Sequence, residues 1–253
     1  MPLEIVTVPC LKDNYAYIVK GPDGIALIDA PEAKPLIAVF EQRGWAPDVI
    51  MLTHHHGDHT EGVAELREKY GCRVMGPAAE KDKLPPLDMA LDPGFTGGTE
   101  DGLCEVIAVP GHTLGHIAYH YPEAGCIFTG DSLMAFGCGR IFEGTPAMMW
   151  ESLQTLAALN PQMIVCSGHE YSASNAAFAQ TIEPNNPALI SRANMITAAR
   201  AKGQPTAQVP LSLELQTNPF LRAGQPEVKK AIGMEDASDL EVFTEIRARK
   251  DKF

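Results

Sequence analysis

The densest group of potential metal ligands in the sequence is the stretch Thr53–His59, which directly follows a short apolar run. Four of the eight histidines of the chain fall within six consecutive positions of this stretch. His54 and His56 are two residues apart, so in extended backbone they project to the same side and can bind one metal ion. Asp58 and His59 lead into a helix predicted to begin near the next residue, and they therefore point in a different direction. One short stretch can thus supply ligands to two neighbouring cations.

Three further residues follow apolar strands in the same way. Each comes after a predicted strand and a small or glycine residue: His112 after Cys104–Val109, Asp131 after Cys126–Thr129 and His169 after Met163–Cys166. Side chains at the same end of several strands converge when those strands share a sheet, which favours one metal site over isolated residues. Taken singly, each residue has an ordinary alternative as a turn residue, a helix cap or the first residue of a helix. A surface metal scavenger or a solvated polar loop predicts no such matching ligands.

Short strands and helices must position these residues. Strands are predicted at Leu3–Val8, Tyr15–Val19, Ile25–Asp29, Val49–Leu52, Arg73–Met75, Cys104–Val109, Ile117–Tyr121, Cys126–Thr129 and Met163–Cys166. Helices are predicted at Glu32–Arg43, Thr60–Tyr70, Met148–Leu159, Ser172–Ile182, Ala188–Lys202, Glu227–Gly233 and Asp239–Arg249. Strand signals are nearly absent after residue 170. We therefore predict an α/β domain at residues 1–170 and a smaller helical domain at residues 171–253.

Composition restricts the classes of protein and partner. No stretch has the roughly 18 consecutive apolar residues of a membrane helix. The N-terminus lacks the pattern of a signal peptide, so we expect no membrane partner and a cytoplasmic location. The net charge of −12 disfavours a nucleic-acid partner, and an anionic small substrate would need a local positive site. The cysteines form no C-x-x-C pair, which predicts free, mostly buried thiols rather than disulfides or a zinc–thiolate site: Cys10, Cys72, Cys104, Cys126, Cys138 and Cys166.

The ordered set of potential ligands resembles that of the metallo-β-lactamase superfamily over about residues 1–170. The residues that carry the resemblance are His54, His56, Asp58, His59, His112, Asp131 and His169. The resemblance implies an αββα sandwich with a binuclear metal site at one edge. It also implies that His54, His56 and His112 bind one metal ion, that Asp58, His59 and His169 bind the other, and that Asp131 bridges them. For His55 and His116 a hydrogen-bonding role that orients these ligands is plausible, and His120 is expected to be structural.

A narrower resemblance covers essentially the whole chain. The segments Gly137–Thr145, Gly168–Tyr171, Glu183–Asn185, Thr217–Arg222 and Arg247–Phe253 resemble the hydroxyacylglutathione hydrolase (glyoxalase II) family. By these motifs the glutathione part of a substrate would be held by Arg140, Phe142, Tyr171, Arg247 and Lys250. Arg140 stands where lysine is common and Phe142 where tyrosine is common, so donor geometry changes at one position and a hydroxyl is lost at the other. Without the resemblance, the basic C-terminus would be a solvated helix end that complements the helix dipole.

The resemblance implies hydrolysis of S-(2-hydroxyacyl)glutathione, typically S-D-lactoylglutathione, to glutathione and D-lactate, the second step of methylglyoxal detoxification. Two divalent metal ions, zinc in the first place and iron or manganese as alternatives, would hold a bridging hydroxide between them as the nucleophile, with Asp58 and Asp131 as the catalytic carboxylates. We expect a monomer. The alternatives are a glutathione persulfide dioxygenase, another hydrolase of the same fold, or a non-catalytic metal-storage protein.

Overall fold

The structure of the protein, a computed structural model, describes residues 3–98 and 102–253. The chain divides into two compact units. The first contains the residues up to Ala108 together with Thr113–Gly130, and the second contains Val109–His112 and Asp131–Phe253. This division differs from the predicted domains 1–170 and 171–253, because the segment from residue 131 to residue 170 makes its contacts with the helices that follow it. The predicted domain boundary stays a prediction.

The first unit contains two β-sheets. One sheet has six strands in sequence order, β1 (Glu4–Cys10), β2 (Asn14–Gly21), β3 (Gly24–Ile28), β4 (Val49–Met51), β5 (Arg73–Pro77) and β6 (Met89–Leu91). Strands β1 to β3 are antiparallel, whereas β3 to β6 are parallel. The other sheet has the antiparallel strands β7 (Thr96–Gly97), β8 (Cys104–Ala108), β9 (Ile117–Tyr121) and β10 (Cys126–Gly130). Parallel pairing brings the carboxyl ends of β3 and β4 to the same edge, with Ile28 opposite Met51.

The helices of the first unit are α1 (Ala33–Arg43), α2 (Gly57–Thr60) and α3 (Val63–Tyr70). Leu36, Phe40 and Leu66 from α1 and α3 are fully buried in one apolar cluster with residues of the six-stranded sheet, including Leu27 and Ile50. Burial of such side chains contributes roughly 1.5–3 kcal/mol each. The helices therefore cover one face of this sheet.

The other face of the six-stranded sheet packs against the second sheet. Tyr17 of β2 and Phe128 of β10 have ring centroids 5.2 Å apart, and both side chains are at most 2% exposed. The hydroxyl of Tyr119 on β9 donates to the carbonyl of Leu52, just beyond β4, at 2.7 Å. Leu52 immediately precedes the histidine-rich stretch, so this packing also fixes where that stretch begins.

The second unit is mainly helical. Its strands are β11 (Leu133–Met134), β12 (Gly137–Cys138), β13 (Ile164–Ser167) and β14 (Gln208–Pro210). Its helices are α4 (Pro146–Ala157), α5 (Ser172–Ile182), α6 (Pro187–Arg200), α7 (Leu211–Thr217), α8 (Pro226–Ile232) and α9 (Asp239–Lys252). Strands β11 and β12 form a hairpin, and β13 pairs with β14 in antiparallel fashion. Helix α4 packs against α9.

Two differences from the predicted elements matter for the site. The predicted helix Thr60–Tyr70 is two helices, because Gly62 donates its backbone N–H to the carbonyl of Ala30 at 2.8 Å and lies against the backbone of Ala33. The first of the two helices, α2, begins at Gly57. Asp58 and His59 therefore lie within a helix and not before one. Helix α7 and the strands β6, β7, β11, β12 and β14 were not predicted, because these short elements have little periodicity and α7 has no glycine stop signal.

All six cysteines are buried and free, as predicted. Burial raises the pKa of Cys10, Cys104 and Cys126 to about 12 and that of Cys138 to about 11. These thiols therefore stay protonated near neutral pH and are poor nucleophiles and poor metal ligands. Within residues 3–98 and 102–253, none of the helices combines the length and the apolar character needed to cross a membrane.

The packing of the two sheets predicts a large loss of stability in Phe128→Ala. The substitution leaves a cavity beside Tyr17, and we expect it to lower the free energy of unfolding by about 3–5 kcal/mol in urea titrations. Phe95→Ala is the matched control, because its ring is 39% exposed, and we expect it to cost about 1 kcal/mol or less. Equal losses in the two variants would contradict the sandwich core.

Candidate metal centre

The loop after β4 places two imidazole nitrogens side by side. His54 Nε2 and His56 Nδ1 are 3.2 Å apart, and the His54 side chain is fully buried. Two nitrogens bound to one tetrahedral zinc ion at roughly 2.0–2.1 Å would lie about 3.3 Å apart. The spacing of this pair therefore fits joint binding of one metal ion, and the assignment of His54 and His56 as ligands stays a prediction.

Helix α2 carries the second pair of predicted ligands in the first unit. Asp58 Oδ2 lies 3.8 Å from His59 Nε2. Asn14, at the start of β2, donates through its side-chain amide to both the carbonyl (2.9 Å) and the carboxylate (3.1 Å) of Asp58. One amide thus fixes the backbone and the side chain of Asp58 together. The sequence offered no signal for this role, because Asn14 and Asp58 are 44 positions apart.

Asp29 supports ligands from both pairs. Its carboxylate is 2% exposed and accepts hydrogen bonds from the Thr53 backbone N–H (2.8 Å), the Thr53 hydroxyl (2.9 Å) and His59 Nδ1 (2.8 Å). Because the Thr53 hydroxyl donates to Asp29, its oxygen accepts from His54 Nδ1 at 3.0 Å. Asp29 therefore orients His59 directly and His54 through Thr53, and it leaves the Nε2 atom of each ring for a metal ion.

Glu80 is a second buried carboxylate beside the histidine-rich loop. Its side chain accepts from the backbone N–H and from Nδ1 of His55, both at 2.8 Å, and from the backbone N–H of Gly115 at 2.9 Å. His116 stacks on the ring of His54, with centroids 4.6 Å apart. His55 thus hydrogen-bonds to Glu80 and His116 stacks on a predicted ligand, and a hydrogen-bonding role of either residue toward the ligands stays a prediction. His120 lies away from this group and pairs with Glu105 across the sheet at 2.8 Å.

In the second unit one carboxylate oxygen lies beside two imidazoles. Asp131 Oδ2 is 3.4 Å from His112 Nε2 and 3.2 Å from His169 Nε2. His112 Nδ1 donates to the backbone carbonyl of Arg140 at 2.7 Å, which leaves its Nε2 for a metal ion. The resemblance assigned His112 and His169 to different metal ions. A shared oxygen between them is the geometry that a bridging carboxylate requires.

Of the predicted substrate residues, Arg140, Phe142 and Tyr171 are accessible. The Arg140 side chain is 57% exposed, Phe142 is 60% exposed and Tyr171 is 37% exposed. The Tyr171 ring stacks on the ring of His169 with centroids 4.7 Å apart, and the Phe142 ring contacts His112 edge-on at 5.3 Å. Both rings therefore lie directly beside predicted metal ligands.

Arg247 and Lys250 of α9 are less accessible. Arg247 is buried and donates to the carbonyl of Cys138 at 3.0 Å and to Asp251 at 2.8 Å. Lys250 is half-buried, with its ammonium 5.2 Å from the ring centre of Phe178. Burial lowers the pKa of Lys250 below its ordinary value, and the nearby charge of Arg247 lowers it further. Whether these two residues hold a substrate stays a prediction.

The donor chemistry of the predicted ligands fits divalent metal ions. Imidazole and carboxylate suit zinc, iron and manganese, and all seven residues belong to groups of His and Asp side chains able to bind metal ions. The sequence missed Asn14 and Asp29, which hydrogen-bond to these ligands, and Glu80, which hydrogen-bonds to the neighbouring His55. Asp29 could have been found, because it lies at the end of the predicted strand Ile25–Asp29. The predicted ligands likewise lie after predicted strands.

Solved structures with this fold include several metal enzymes. The structure is similar to BLEG-1 B3 metallo-beta-lactamase, with a TM-score of 0.67 and 20% identity over 86% of this chain and 99% of that one. It is also similar to TTHA1623 in a di-iron-bound form, with a TM-score of 0.64 and 28% identity over 86% and 100% of the two chains. ETHE1 from Myxococcus xanthus gives a TM-score of 0.66 at 19% identity over 99% and 98%.

The family models and close relatives agree with these structural similarities. Residues 12–169 match the metallo-beta-lactamase superfamily, and residues 170–253 match the hydroxyacylglutathione hydrolase C-terminus. The fold and its His and Asp groups thus define a member of the metallo-β-lactamase superfamily. Hydroxyacylglutathione hydrolases from Cereibacter sphaeroides and Ruegeria pomeroyi are 57% and 54% identical, each over 100% of both chains. The chain belongs to the hydroxyacylglutathione hydrolase family, which confirms both resemblances.

The hydrogen bonds of Asp29 predict that Asp29→Asn weakens metal binding. Asn tolerates the left-handed backbone at this position (φ 57°), but its amide has one acceptor oxygen where the carboxylate has two, so it cannot accept all three hydrogen bonds from Thr53 and His59. We expect zinc affinity, measured by competition with a chromophoric chelator, to fall by about 10–100-fold. Asp48→Asn is the matched control, because Asp48 accepts from the backbone of Ile25 and not from a predicted ligand. Unchanged affinity in Asp29→Asn would disprove the orienting role.

Proposed function

We propose that this protein hydrolyses S-(2-hydroxyacyl)glutathione thioesters, typically S-D-lactoylglutathione, to glutathione and a 2-hydroxy acid such as D-lactate. Membership of the hydroxyacylglutathione hydrolase family over the full chain supports the activity. The observation that carries the proposal for the site is the single oxygen of Asp131 close to both His112 and His169. In the cell the reaction would be the second step of methylglyoxal detoxification.

The proposed metal centre uses the seven predicted ligands. His54, His56 and His112 would bind one divalent ion, Asp58, His59 and His169 would bind the other, and Asp131 would bridge them. Zinc is our first choice, with iron or manganese as alternatives, because a set of five imidazoles and two carboxylates suits all three. TTHA1623, which is 28% identical, has been solved in a di-iron-bound form.

When bound, the two metal ions would lower the pKa of a water molecule to about 7 and polarise the thioester carbonyl. The protein's own residues then have positioning roles. Asp58 and Asp131 hold the reacting centre as carboxylate ligands, and Asp29 and Asn14 keep His59 and Asp58 in place. Glutathione leaves as a thiolate, which is a good leaving group, so no strong general acid is required.

The glutathione part of the substrate would be bound by the second unit. Arg140 is the most accessible of the three predicted cations, and the rings of Phe142 and Tyr171 lie beside metal ligands. Lys250 would supply a second positive charge. Two nitrogens of Arg247 donate within the chain, so we propose that Arg247 acts mainly by holding this surface in shape. We further propose that residues 171–253 form a helical substrate-binding domain and that the protein is a cytoplasmic monomer without a nucleic-acid partner.

Hydrolysis of S-D-lactoylglutathione, together with metal analysis, tests the proposed activity and its bridging residue. Asp131→Ala should lose metal, and its kcat/KM should fall by more than the roughly 10–100-fold typical of residues that only orient ligands. Ser132→Ala is the matched control, because among the residues that the structure describes the Ser132 hydroxyl has no hydrogen-bond partner. Oxygen consumption with glutathione persulfide, without thioester hydrolysis, would replace the proposal with a persulfide dioxygenase.

The lowered pKa of Lys250 predicts a pH dependence of substrate affinity. Because burial disfavours the charged form, the positive charge is lost at a lower pH than that of a free lysine. We expect KM to rise as pH increases through this lowered pKa. Lys250→Met should raise KM by about tenfold at neutral pH with kcat nearly unchanged.

Two variants serve as controls for Lys250. Lys250→Arg keeps its charge at alkaline pH, so it should lack the rise in KM that the wild-type protein shows. Lys252→Met removes an exposed lysine from the same helix end and should leave KM unchanged. A fall in kcat at constant KM in Lys250→Met would count against substrate binding by this residue.

A further inference from the structure

The hairpin Leu133–Cys138 connects two parts of the proposed metal centre. Asp131 lies two residues before its first strand, and Arg140 lies two residues after its second strand. The carbonyl of Arg140 accepts from Nδ1 of His112 at 2.7 Å. The geometry of this short hairpin therefore sets the position of Asp131 on one side and the orientation of His112 on the other.

Gly139 packs closely against both Asp131 and His112. A Cβ atom at this position would overlap the carbonyl oxygen of Asp131 and would come within 3.0 Å of His112 Nδ1. The backbone N–H of Gly139 donates to the carbonyl of Ser132 at 3.0 Å, which closes the base of the hairpin. A small shift of the hairpin would thus move two predicted metal ligands at once.

The hairpin does not have the features of a self-supporting hairpin. Each strand has two residues, and only Leu133 with Cys138 and Met134 with Gly137 are paired. The turn residues are Ala135 and Phe136, whereas tight hairpin turns favour Asn-Gly or Gly-containing pairs. Phe136 has a φ of 55°, a left-handed conformation that a bulky residue adopts only when its surroundings impose it.

Asn218 of the segment after α7 joins the two strands of this hairpin. Its fully buried side-chain amide donates to the carbonyl of Met134 at 3.2 Å and to the carbonyl of Gly137 at 2.9 Å. These two residues face each other in the hairpin. The Asn218 side-chain oxygen accepts from the backbone N–H of Phe220 at 3.0 Å, so the amide is fixed in this orientation.

Glu214 of α7 completes the support of the turn. Its Oε2 accepts from the backbone N–H of the strained residue Phe136 at 3.0 Å. It also lies 2.9 Å from the Asn218 amide nitrogen, whose two hydrogens are shared among this oxygen and the carbonyls of Met134 and Gly137. The other carboxylate oxygen of Glu214 pairs with the buried guanidinium of Arg192, which lies 3.8 Å above the centre of the Phe136 ring. Asn175 of α5 adds a donor to the carbonyl of Ala135 at 3.1 Å.

We propose that Asn218 is a positioning residue that sets the metal ligands Asp131 and His112 through the hairpin Leu133–Cys138. The inference rests on the proposed function, because it assumes that these residues bind metal. Under this proposal the segment Thr217–Arg222 contributes to metal binding, and this role is separate from substrate binding. The helices of the second unit thereby contribute to the reacting centre itself.

The test compares metal binding in Asn218→Ala and Asn186→Ala. Asn186 is also an asparagine whose amide donates to a backbone carbonyl, that of Gln216, and it caps α6, so its hydrogen bonds are to residues outside the hairpin. We expect both variants to lose stability, so the comparison controls for a general effect of destabilisation. We expect zinc affinity, measured by chelator competition on the purified protein, to fall about 10–100-fold in Asn218→Ala and to stay unchanged in Asn186→Ala.

Two readouts separate this inference from the proposed function. The visible spectrum of the cobalt-substituted protein should change in Asn218→Ala, since ligand geometry is altered, and thioester hydrolysis is measured independently. Wild-type zinc affinity and an unchanged cobalt spectrum in Asn218→Ala would overturn the inference and leave the proposed function intact. A wild-type protein that binds metal but does not hydrolyse the thioester would defeat the proposed function alone.

Asn175→Ala provides a second variant in case Asn218→Ala does not fold. It removes one hydrogen bond, to the carbonyl of Ala135, and leaves the link between the two strands in place. We expect a smaller loss of zinc affinity in the same direction. If Asn175→Ala binds zinc and cobalt as the wild-type protein does, the hairpin does not control the ligands and the inference fails.

Discussion

The buried carboxylate of Asp29 is the constraint on which the ligand group of the first unit depends. Three hydrogen-bond donors converge on it from Thr53 and His59, and His54 is reached through the Thr53 hydroxyl. A buried carboxylate without such partners would be strongly unfavourable, so the fold requires these donors as much as they require Asp29. The same hydrogen bonds that satisfy the charge select the ring orientation of two histidines. Stability and metal-ligand geometry are therefore fixed by one interaction.

In the second unit a backbone hairpin, and not a buried carboxylate, positions the predicted metal ligands. The hairpin after Asp131 is too short and its turn too strained to be stable by itself, so buried side chains of α5, of α9 and of the segment after α7 satisfy its carbonyl groups. A buried carbonyl group without a hydrogen-bond donor lowers the free energy of unfolding, so the buried hairpin requires these donors. In both units a ligand is held by a buried polar group that has more than one partner. Removal of one such group therefore affects several contacts together.

Whether a feature could be predicted from the sequence depends on how far apart in the sequence its residues lie. The helix Ser172–Ile182 and the strand Ile117–Tyr121 were predicted with their observed bounds, because apolar periodicity and local stop signals define them. The predicted ligands could be proposed from the sequence because each lies in a segment that follows a predicted strand. Asn14 and Glu80 were missed because their partners are distant in sequence, 44 and 25 positions away, and no local pattern reports such a contact. Helix α7, which carries Glu214, was missed because it ends at Asn218 without a glycine stop signal, whereas the equally short α8 ends at Gly233 and was predicted.

Charge alone does not decide which cations of the second unit can reach a substrate. Arg140 and Arg247 both lie beside Asp251, at 3.5 Å and 2.8 Å, but they differ in burial. The exposed pair of Arg140 with Asp251 contributes little to stability, so Arg140 can exchange Asp251 for a substrate carboxylate at small cost. Arg247 cannot make this exchange, because its departure would leave the carbonyl of Cys138 buried without its donor. In a chain with a net charge of −12, an anionic thioester would thus be recognised by the exposed arginine, whereas the buried arginine holds the surface that presents it.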